Sequence, residues 1–226
     1  MAIAKPGRSS DRWLIFAGLA IVGAAIVAVL LMGPRGAGPT ADRRPVRIFS
    51  IPAGSMEPTL RIGERVYGDM QAYAVRAPTR GDIVFLTLPP DPSTTYVKRI
   101  VGLPGEKVQM RNGTLHINGR PVRTVDAGTY KPSSDDSSGR EGSLKRETLP
   151  NGVSYTTLDL LENGPYDNTQ VYEVPSGNYF VLGDNRDNSN DSRVNRFGYI
   201  PRANILGQPI LVIWSSDWSR IGTIPR

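Results

Sequence analysis

The chain has 226 residues, a formal net charge of +6, 24 glycines, 19 prolines, one histidine and no cysteine. The lack of cysteine excludes disulfide bonds, thiol catalysis and the usual cysteine-ligated zinc sites. The basic residues are scattered in runs of at most two, so the charge predicts no nucleic-acid partner. Positive residues on both sides of an apolar segment favour lipid headgroups instead.

Residues 13–32, after a short polar tail over residues 1–12, form an uncharged segment rich in Ala, Val, Ile and Leu. A helix of that length spans about 30 Å, the thickness of a bilayer core. A cleaved secretory signal has a shorter apolar core, although Gly36-Ala37-Gly38 leaves that alternative open, and a buried soluble helix would show a polar face. The segment therefore predicts a retained single-pass membrane helix, whose orientation the flanking charges do not decide.

A Gly/Pro/Arg-rich linker is predicted over residues 33–45, and short strands separated by turn signals follow it. This spacing predicts a mainly β fold of coiled or barrel-like antiparallel sheets over residues 46–226. The predicted strands cover residues 46–51, 65–67, 82–88, 96–101, 107–111, 115–117, 179–182 and 210–213.

The strand pattern weakens between about residues 122 and 173. Residues 133–139 are a polar run of Ser, Asp and Gly, which is typical of a surface excursion. Because residues 133–147 contain few apolar anchors, we expect this stretch to contribute little to the core. Shortening it is then expected to leave the melting temperature nearly unchanged.

Ser55, at a predicted sharp turn, is a candidate nucleophile and needs a neighbouring base. His116 lies in an alternating stretch that ends in Asn118-Gly119, which predicts a surface strand position more readily than a Ser/His/Asp triad. The other available base is Lys98, in an apolar strand-like run, because burial can make a lysine neutral. Serine with a buried lysine is thus the leading hypothesis.

Four groups of residues occur in a fixed order between about Phe49 and Trp214. They are Gly54-Ser55-Met56 with Pro58-Thr59-Leu60, Arg80-Gly81-Asp82-Ile83-Val84, Lys98-Arg99 with Gly102-Leu103-Pro104-Gly105, and Gly183-Asp184-Asn185-Arg186-Asp187-Asn188-Ser189-Asn190-Asp191-Ser192-Arg193. Together they resemble the successive boxes of bacterial type I signal peptidases. A lone Ser-Met-x-Pro is a weak signal, whereas the eleven-residue box that follows a Lys-Arg strand is specific.

This resemblance implies a monomeric, membrane-bound serine endopeptidase that cuts signal peptides from exported preproteins after a small-x-small motif. It implies Ser55 as the nucleophile, Lys98 as the general base and no cofactor. It also implies a cytoplasmic amino terminus and an extracytoplasmic domain at the bacterial cytoplasmic membrane, with a variable cap subdomain at about residues 122–173. Its partners are then preprotein signal peptides and membrane lipids.

Supporting roles also follow from the resemblance. Ser189 matches the position whose hydroxyl orients the lysine ammonium, and Asp191 and Arg193 match a supporting ion pair. The last box lacks the glycine and glutamate spacing of a calcium-binding EF-hand, so we expect no metal. Six apolar positions are expected to line shallow pockets for small substrate residues that precede the cleaved bond: Phe49, Ile51, Met56, Leu60, Tyr96 and Val97. The alternative is that these side chains pack in the hydrophobic core.

Ala53 departs from the resemblance, because many members carry a serine there as an oxyanion donor. The oxyanion hole then depends on backbone amides such as that of Ser55. Arg99 is expected to face away from Lys98 and to tolerate alanine. Trp214 and Trp218 resemble positions that face the bilayer, with burial as the alternative.

Two other functions compete with this interpretation. One is another Ser/Lys protease of the same fold, such as a plasmid-transfer peptidase or a LexA-like self-cleaving repressor. The predicted anchor and the lack of a helix-turn-helix argue against the repressor. The other is an inactive membrane-tethered binding module, against which the presence of Ser55, Lys98 and Ser189 argues.

Overall fold

The computed structural model describes residues 46–132 and 140–226. The predicted tail, membrane helix and linker over residues 1–12, 13–32 and 33–45 lie outside the described residues. In the two described ranges, no helix has the length and apolar character needed to span a bilayer.

The described chain is mainly β, as predicted, and contains three short 3-10 turns at Gly54–Met56, Arg202–Asn204 and Trp218–Arg220. Its strands in chain order are β1 (Val46–Ser50), β2 (Arg65–Asp69), β3 (Ile83–Leu88), β4 (Asp91–Gly102), β5 (Lys107–Arg111), β6 (Thr114–Ile117), β7 (Arg120–Pro121), β8 (Arg123–Tyr130), β9 (Gly142–Thr148), β10 (Ser154–Asp159), β11 (Tyr172–Glu173), β12 (Asn178–Leu182), β13 (Ile200–Pro201) and β14 (Ile205–Trp214).

These strands form three antiparallel sheets. The largest has seven strands in the order β1-β2-β14-β3-β4-β12-β13, and the other two have the orders β10-β9-β8 and β11-β5-β6-β7. All eight predicted strands are confirmed as β1 to β6, β12 and β14, most of them extended by a few residues. The shorter or more polar strands β7 to β11 and β13 were not predicted.

Two Asn-Gly pairs make the tight hairpins of the four-stranded sheet. Asn112 and Asn118 have φ angles of 45° and 52°, and the glycines that follow them have φ angles of 69° and 76°. Two successive residues with positive φ are typical of a type I′ turn, whose twist matches that of the strands it joins. The turns connect β5 to β6 and β6 to β7.

One apolar cluster holds the turn that carries Ser55 against the seven-stranded sheet. It joins residues from the segment after β1 to residues from β2, β3 and β14: Ile51, Met56, Leu60, Val66, Ile83, Phe85 and Val212. Met56, the last residue of the turn, and Leu60, which follows it, are fully buried. Because the buried neighbours fix the turn, the position of Ser55 is set by core packing.

The cap predicted at about residues 122–173 contains the three-stranded sheet β10-β9-β8, which we call the cap sheet. Residues 142–147 lie in β9, its central strand, and the Glu147 side chain is only 2% exposed. Leu149 and Tyr155 also pack in one apolar cluster with Val101 and Phe180 of the seven-stranded sheet. The expectation that residues 133–147 contribute little to the core is therefore wrong for Glu147, whereas residues 142–146 are exposed or half-buried and residues 133–139 lie outside the described residues.

The side chain of Arg99 helps to attach the cap sheet to the seven-stranded sheet. It faces away from Lys98, as strand alternation predicts, but its side chain is 1% exposed. Its Nε and Nη2 atoms each donate to a carboxylate oxygen of Asp184 at 2.7 Å, and its Nη1 donates to the Gly81 carbonyl at 2.8 Å. The guanidinium carbon lies 4.0 Å from the ring centroid of Tyr155 in the cap sheet.

Alanine at position 99 is expected to destabilise the fold, contrary to the tolerance predicted from the sequence. The substitution would leave the Asp184 carboxylate buried without its ionic partner, and breaking such a pair costs about 3–5 kcal/mol. Urea titration of purified Arg99→Ala protein measures the loss in free energy of unfolding. Arg65→Ala, an exposed arginine on β2, is the control and is expected to change stability by about 0.5 kcal/mol or less. Equal midpoints for the two variants would contradict the prediction.

Candidate active site

Ser55 lies in the 3-10 turn that follows β1. The Glu57 amide donates to the Gly54 carbonyl at 3.2 Å, and the Leu60 amide donates to the Met56 carbonyl at 2.9 Å. Ser55 itself is half-buried, while the residues on either side of it are buried. The turn therefore leaves part of the Ser55 side chain accessible while its neighbours anchor it.

Lys98, on β4, contacts the Ser55 hydroxyl. Its side chain is 3% exposed, and its Nζ atom lies 2.7 Å from Ser55 Oγ and 3.0 Å from the Val97 carbonyl oxygen. The two residues that the sequence hypothesis joined, 43 positions apart, are thus in hydrogen-bond contact.

Burial lowers the pKa of Lys98 from 10.5 to about 8. The negative charges of Asp191 and Asp184 act in the opposite direction, and the positive charge of Arg193 lowers the pKa further. With a pKa near 8, about one lysine in ten is neutral at pH 7, against less than one in a thousand for an exposed lysine. Lys98 is therefore a chemically competent proton acceptor near neutral pH.

The loop over residues 183–193 encloses this pair. Arg193 donates to both carboxylate oxygens of Asp191, at 2.9 and 2.8 Å, so the ion pair expected from the sequence is present. The Gly183 amide donates to Asp191 at 3.0 Å, and the Asn185 amide donates to the Ser55 carbonyl at 3.2 Å. Burial is the largest single effect on Asp191 and raises its pKa, but the charge and hydrogen bonds of Arg193, together with hydrogen bonds from the Gly183 amide and Ser189, lower the pKa overall.

Gly183 has no space for a side chain. A Cβ atom there would collide with Ser189 Oγ and with the Ser55 carbonyl oxygen. Ser189 is therefore close to the Ser55 backbone, and its buried hydroxyl lies beside Asp191, where a hydrogen bond from Ser189 helps to lower the pKa of that carboxyl. The hydrogen bonds of the Lys98 ammonium in this structure go to Ser55 and to the Val97 carbonyl, and the orienting role of Ser189 stays a prediction.

His116 lies in β6, within the four-stranded sheet, and is half-buried. Its Nδ1 atom is 3.0 Å from the Thr114 carbonyl oxygen of its own strand. In the part of the chain that the structure describes, no hydrogen bond joins it to Ser55, and no group of His, Asp and Glu side chains could hold a metal ion.

The six apolar positions predicted to line substrate pockets divide into two sets. Ile51, Met56 and Leu60 are buried in the core cluster described above, so core packing accounts for them. Phe49, Tyr96 and Val97 are half-buried and keep surface that a substrate can contact. A cavity of about 300 Å³ lies beside Tyr96 and is also lined by Leu88, Asn190, Val194, Arg196 and Phe197.

The edge of β4 next to Lys98 has no strand partner within the described ranges. Strand β12 pairs with β4 only at Arg99, Ile100 and Gly102. On its other side β4 pairs with β3, and that pairing includes Tyr96, Val97 and Lys98. Residues of β4 before Arg99 therefore present one free backbone edge beside Ser55 and Lys98.

The sequence reasoning missed three residues that hold the 183–193 loop. Thr59 donates to Asp184 at 2.6 Å, and Glu147 and Tyr155 of the cap sheet contact Arg186. Thr59 lies within the Pro58-Thr59-Leu60 motif. Glu147 lies in a charged run, where no periodic pattern indicates burial.

Comparison with known proteins gives one consistent result. The family model described as "Signal peptidase, peptidase S26" matches residues 12–214. The chain is 34% identical to signal peptidase I of Rickettsia bellii strain OSU 85-389 over 209 residues, covering 79% of this chain and 71% of that protein. It is 34% identical to signal peptidase I of Rickettsia typhi over 222 residues, covering 85% and 76%.

A crystal structure of a signal peptidase I from Enterococcus faecalis V583 is 34% identical, covers 59% of this chain and 97% of that chain, and has a TM-score of 0.34. The family match spans most of the chain and includes both Ser55 and Lys98. The chain therefore belongs to the signal peptidase family, peptidase S26.

Proposed function

We propose that this protein is a membrane-anchored serine endopeptidase that removes signal peptides from preproteins, with Ser55 as the nucleophile and Lys98 as the general base. The observation that carries the proposal is the 2.7 Å contact between Lys98 Nζ and Ser55 Oγ around a buried lysine. Family membership supports the same activity.

The reaction follows from this pair. Neutral Lys98 takes the proton of Ser55 while Oγ attacks the scissile carbonyl carbon, and a tetrahedral intermediate forms. The resulting ammonium then gives its proton to the leaving amine, and the acyl-enzyme remains on Ser55. Lys98, neutral again, activates a water molecule that releases the signal peptide and restores the serine.

The developing oxyanion needs donors within about 3 Å. The Ser55 amide lies in the first turn of a 3-10 helix, where backbone N–H groups have no partner inside the helix. Ala53 supplies only a methyl group, so we assign the oxyanion site to backbone donors, with Ser55 N–H as the principal one.

The substrate is proposed to bind as an added strand. An extended chain can pair with the free edge of β4, where main-chain hydrogen bonds give affinity and side-chain pockets give selectivity. Phe49, Tyr96 and Val97 are already half-buried, which leaves shallow surfaces that suit small side chains. This geometry favours the Ala-x-Ala type of site over bulky residues at the cut.

Membrane attachment is proposed through residues 13–32, with the described domain on the extracytoplasmic side of the bacterial cytoplasmic membrane. Trp214 and Trp218 are 49% and 79% exposed, which removes the alternative that they are buried. Exposed tryptophans favour the lipid interface because the ring is amphipathic.

The rate of cleavage is expected to rise with pH through about 8 and to level off above it, because protonated Lys98 cannot accept a proton. The assay incubates the full chain, in detergent, with a preprotein that bears an Ala-x-Ala site and locates the cut by mass spectrometry.

In the same assay, Lys98→Arg is expected to be as inactive as Lys98→Ala, since a guanidinium does not give up its proton. His116→Ala is the control and should retain activity. Near-normal turnover by Lys98→Arg, or its loss in His116→Ala, would show that the base is misassigned.

Ala53→Ser is expected to keep or raise kcat, because it offers the oxyanion an extra donor at an exposed position. Removing one such donor from another serine protease costs roughly 100- to 1000-fold. Ala53→Cys has nearly the same shape and a much weaker donor, so it controls for bulk. A folded Ala53→Ser protein with a large loss in kcat would place the oxyanion site elsewhere.

Protease added to the outside of intact spheroplasts is expected to digest the chain beyond about residue 33 and to spare the amino-terminal tail. The physical reason is that an uncharged helix over residues 13–32 separates the two compartments. Immunoblots against tags at each end measure which part survives. If the domain is protected until the membrane is lysed with detergent, the orientation is reversed and the export role fails.

A further inference from the structure

A buried ion pair joins the cap sheet to the loop that encloses the candidate site. Arg186 Nη1 and Nη2 donate to the two carboxylate oxygens of Glu147, each at 2.7 Å. The Tyr155 hydroxyl donates to the same carboxylate at 2.7 Å. All three side chains are buried, and Glu147 is the only carboxylate in ion-pairing distance of Arg186 among the described residues.

Backbone contacts carry this attachment towards the nucleophile. The Arg186 amide donates to the Leu158 carbonyl of β10, and the Leu158 amide donates to the Asp184 carbonyl, both at 2.8 Å. The Arg186 carbonyl accepts a hydrogen bond from Arg193 Nη2 at 2.7 Å, and Arg193 also holds Asp191. Arg186 is therefore fixed by the cap sheet on one side and supports the Asp191 ion pair on the other.

We propose that Glu147 is a positioning residue for catalysis, which acts through Arg186 to hold the 183–193 loop against Ser55 and Lys98. Resting on the proposed function, this inference makes the cap sheet part of the catalytic machinery. The groups that Arg186 helps to hold are those that surround the reacting pair. The Asn185 amide binds the Ser55 carbonyl, and Asp184, Asp191 and Arg193 are the charges that act on Lys98.

The charge of Glu147 matters more than its shape. Without it the Arg186 guanidinium is a buried cation that lacks its counter-ion, and such a group draws in water or moves the backbone that carries it. Residues 183–193 would then fit less closely over Lys98. Because burial is the main cause of the low pKa of Lys98, a looser loop raises that pKa and displaces the Ser55 carbonyl as well.

The test compares Glu147→Gln with the wild-type full chain in detergent micelles, with a peptide that carries an Ala-x-Ala site as the probe. We expect kcat to fall about 10- to 100-fold at temperatures well below unfolding, with KM nearly unchanged, because misplacement of reacting groups by about 1 Å has effects of this size. The rising limb of the pH–rate profile is expected to move to higher pH. If Glu147 only stabilised the fold, Glu147→Gln would lower the melting temperature but change neither kcat nor the pH of the rising limb.

Two further variants complete the test. Glu141→Gln makes the same chemical change at an exposed residue directly before β9 and is expected to match wild type. Tyr155→Phe removes one hydrogen bond to Glu147 without leaving a charge unpaired. If Glu147→Gln does not fold, this variant tests whether Glu147 is a positioning residue. We expect it to shift kcat and the pH limb in the same direction by a smaller amount. Wild-type values of kcat and of the limb in a folded Glu147→Gln or Tyr155→Phe protein would overturn the inference, whereas an inactive wild-type chain would instead refute the proposed function.

Discussion

Much of the structure around Ser55 depends on the burial of one lysine beside its hydroxyl. Burial disfavours the Lys98 ammonium, but two buried carboxylates nearby, Asp184 and Asp191, favour it. Each carboxylate is held by an arginine of its own in a two-point contact, Asp184 by Arg99 and Asp191 by Arg193. The positive charge of Arg193 opposes the two carboxylates, and burial is the largest effect, so the pKa of Lys98 is lowered overall.

The arginine–carboxylate pairs also determine how the sheets meet. Arg99 lies on β4, Glu147 on β9, and their partners Asp184 and Arg186 lie two residues apart in one loop. Buried ion pairs of this kind add little net stability over apolar packing, but they are strongly unfavourable in any other arrangement. They therefore select one relative placement of the seven-stranded sheet, the cap sheet and the 183–193 loop, which is the placement that encloses Lys98.

The elements that the sequence predicted well are those whose signal is local. Strands β1 to β6 show apolar runs or alternation, and Asn112-Gly113 and Asn118-Gly119 encode their turns. Burial of Glu147 in β9 depends instead on Arg186, a partner 39 residues away, so a stretch of charged residues was interpreted as surface. The prediction that Arg99 tolerates alanine was wrong for the same reason. Strand alternation gives the direction of a side chain but not the groups that it contacts. Ser55 and Lys98 could be joined because the chain offers few candidate bases and because both residues lie in motifs of fixed order.

Binding of the substrate to the free edge of β4, as proposed above, has a consequence for which proteins can be processed. A strand edge recognises the peptide backbone, which is the same in every protein, and so the identity of most residues in the bound segment is of little importance. Discrimination is then left to side-chain volume at a few shallow positions. A segment already folded into a helix or paired in a sheet has no free backbone to offer, and the enzyme would act only on chain that is still extended. Timing relative to folding, rather than a long consensus sequence, would then separate the proper cleavage site from the many Ala-x-Ala stretches inside mature proteins.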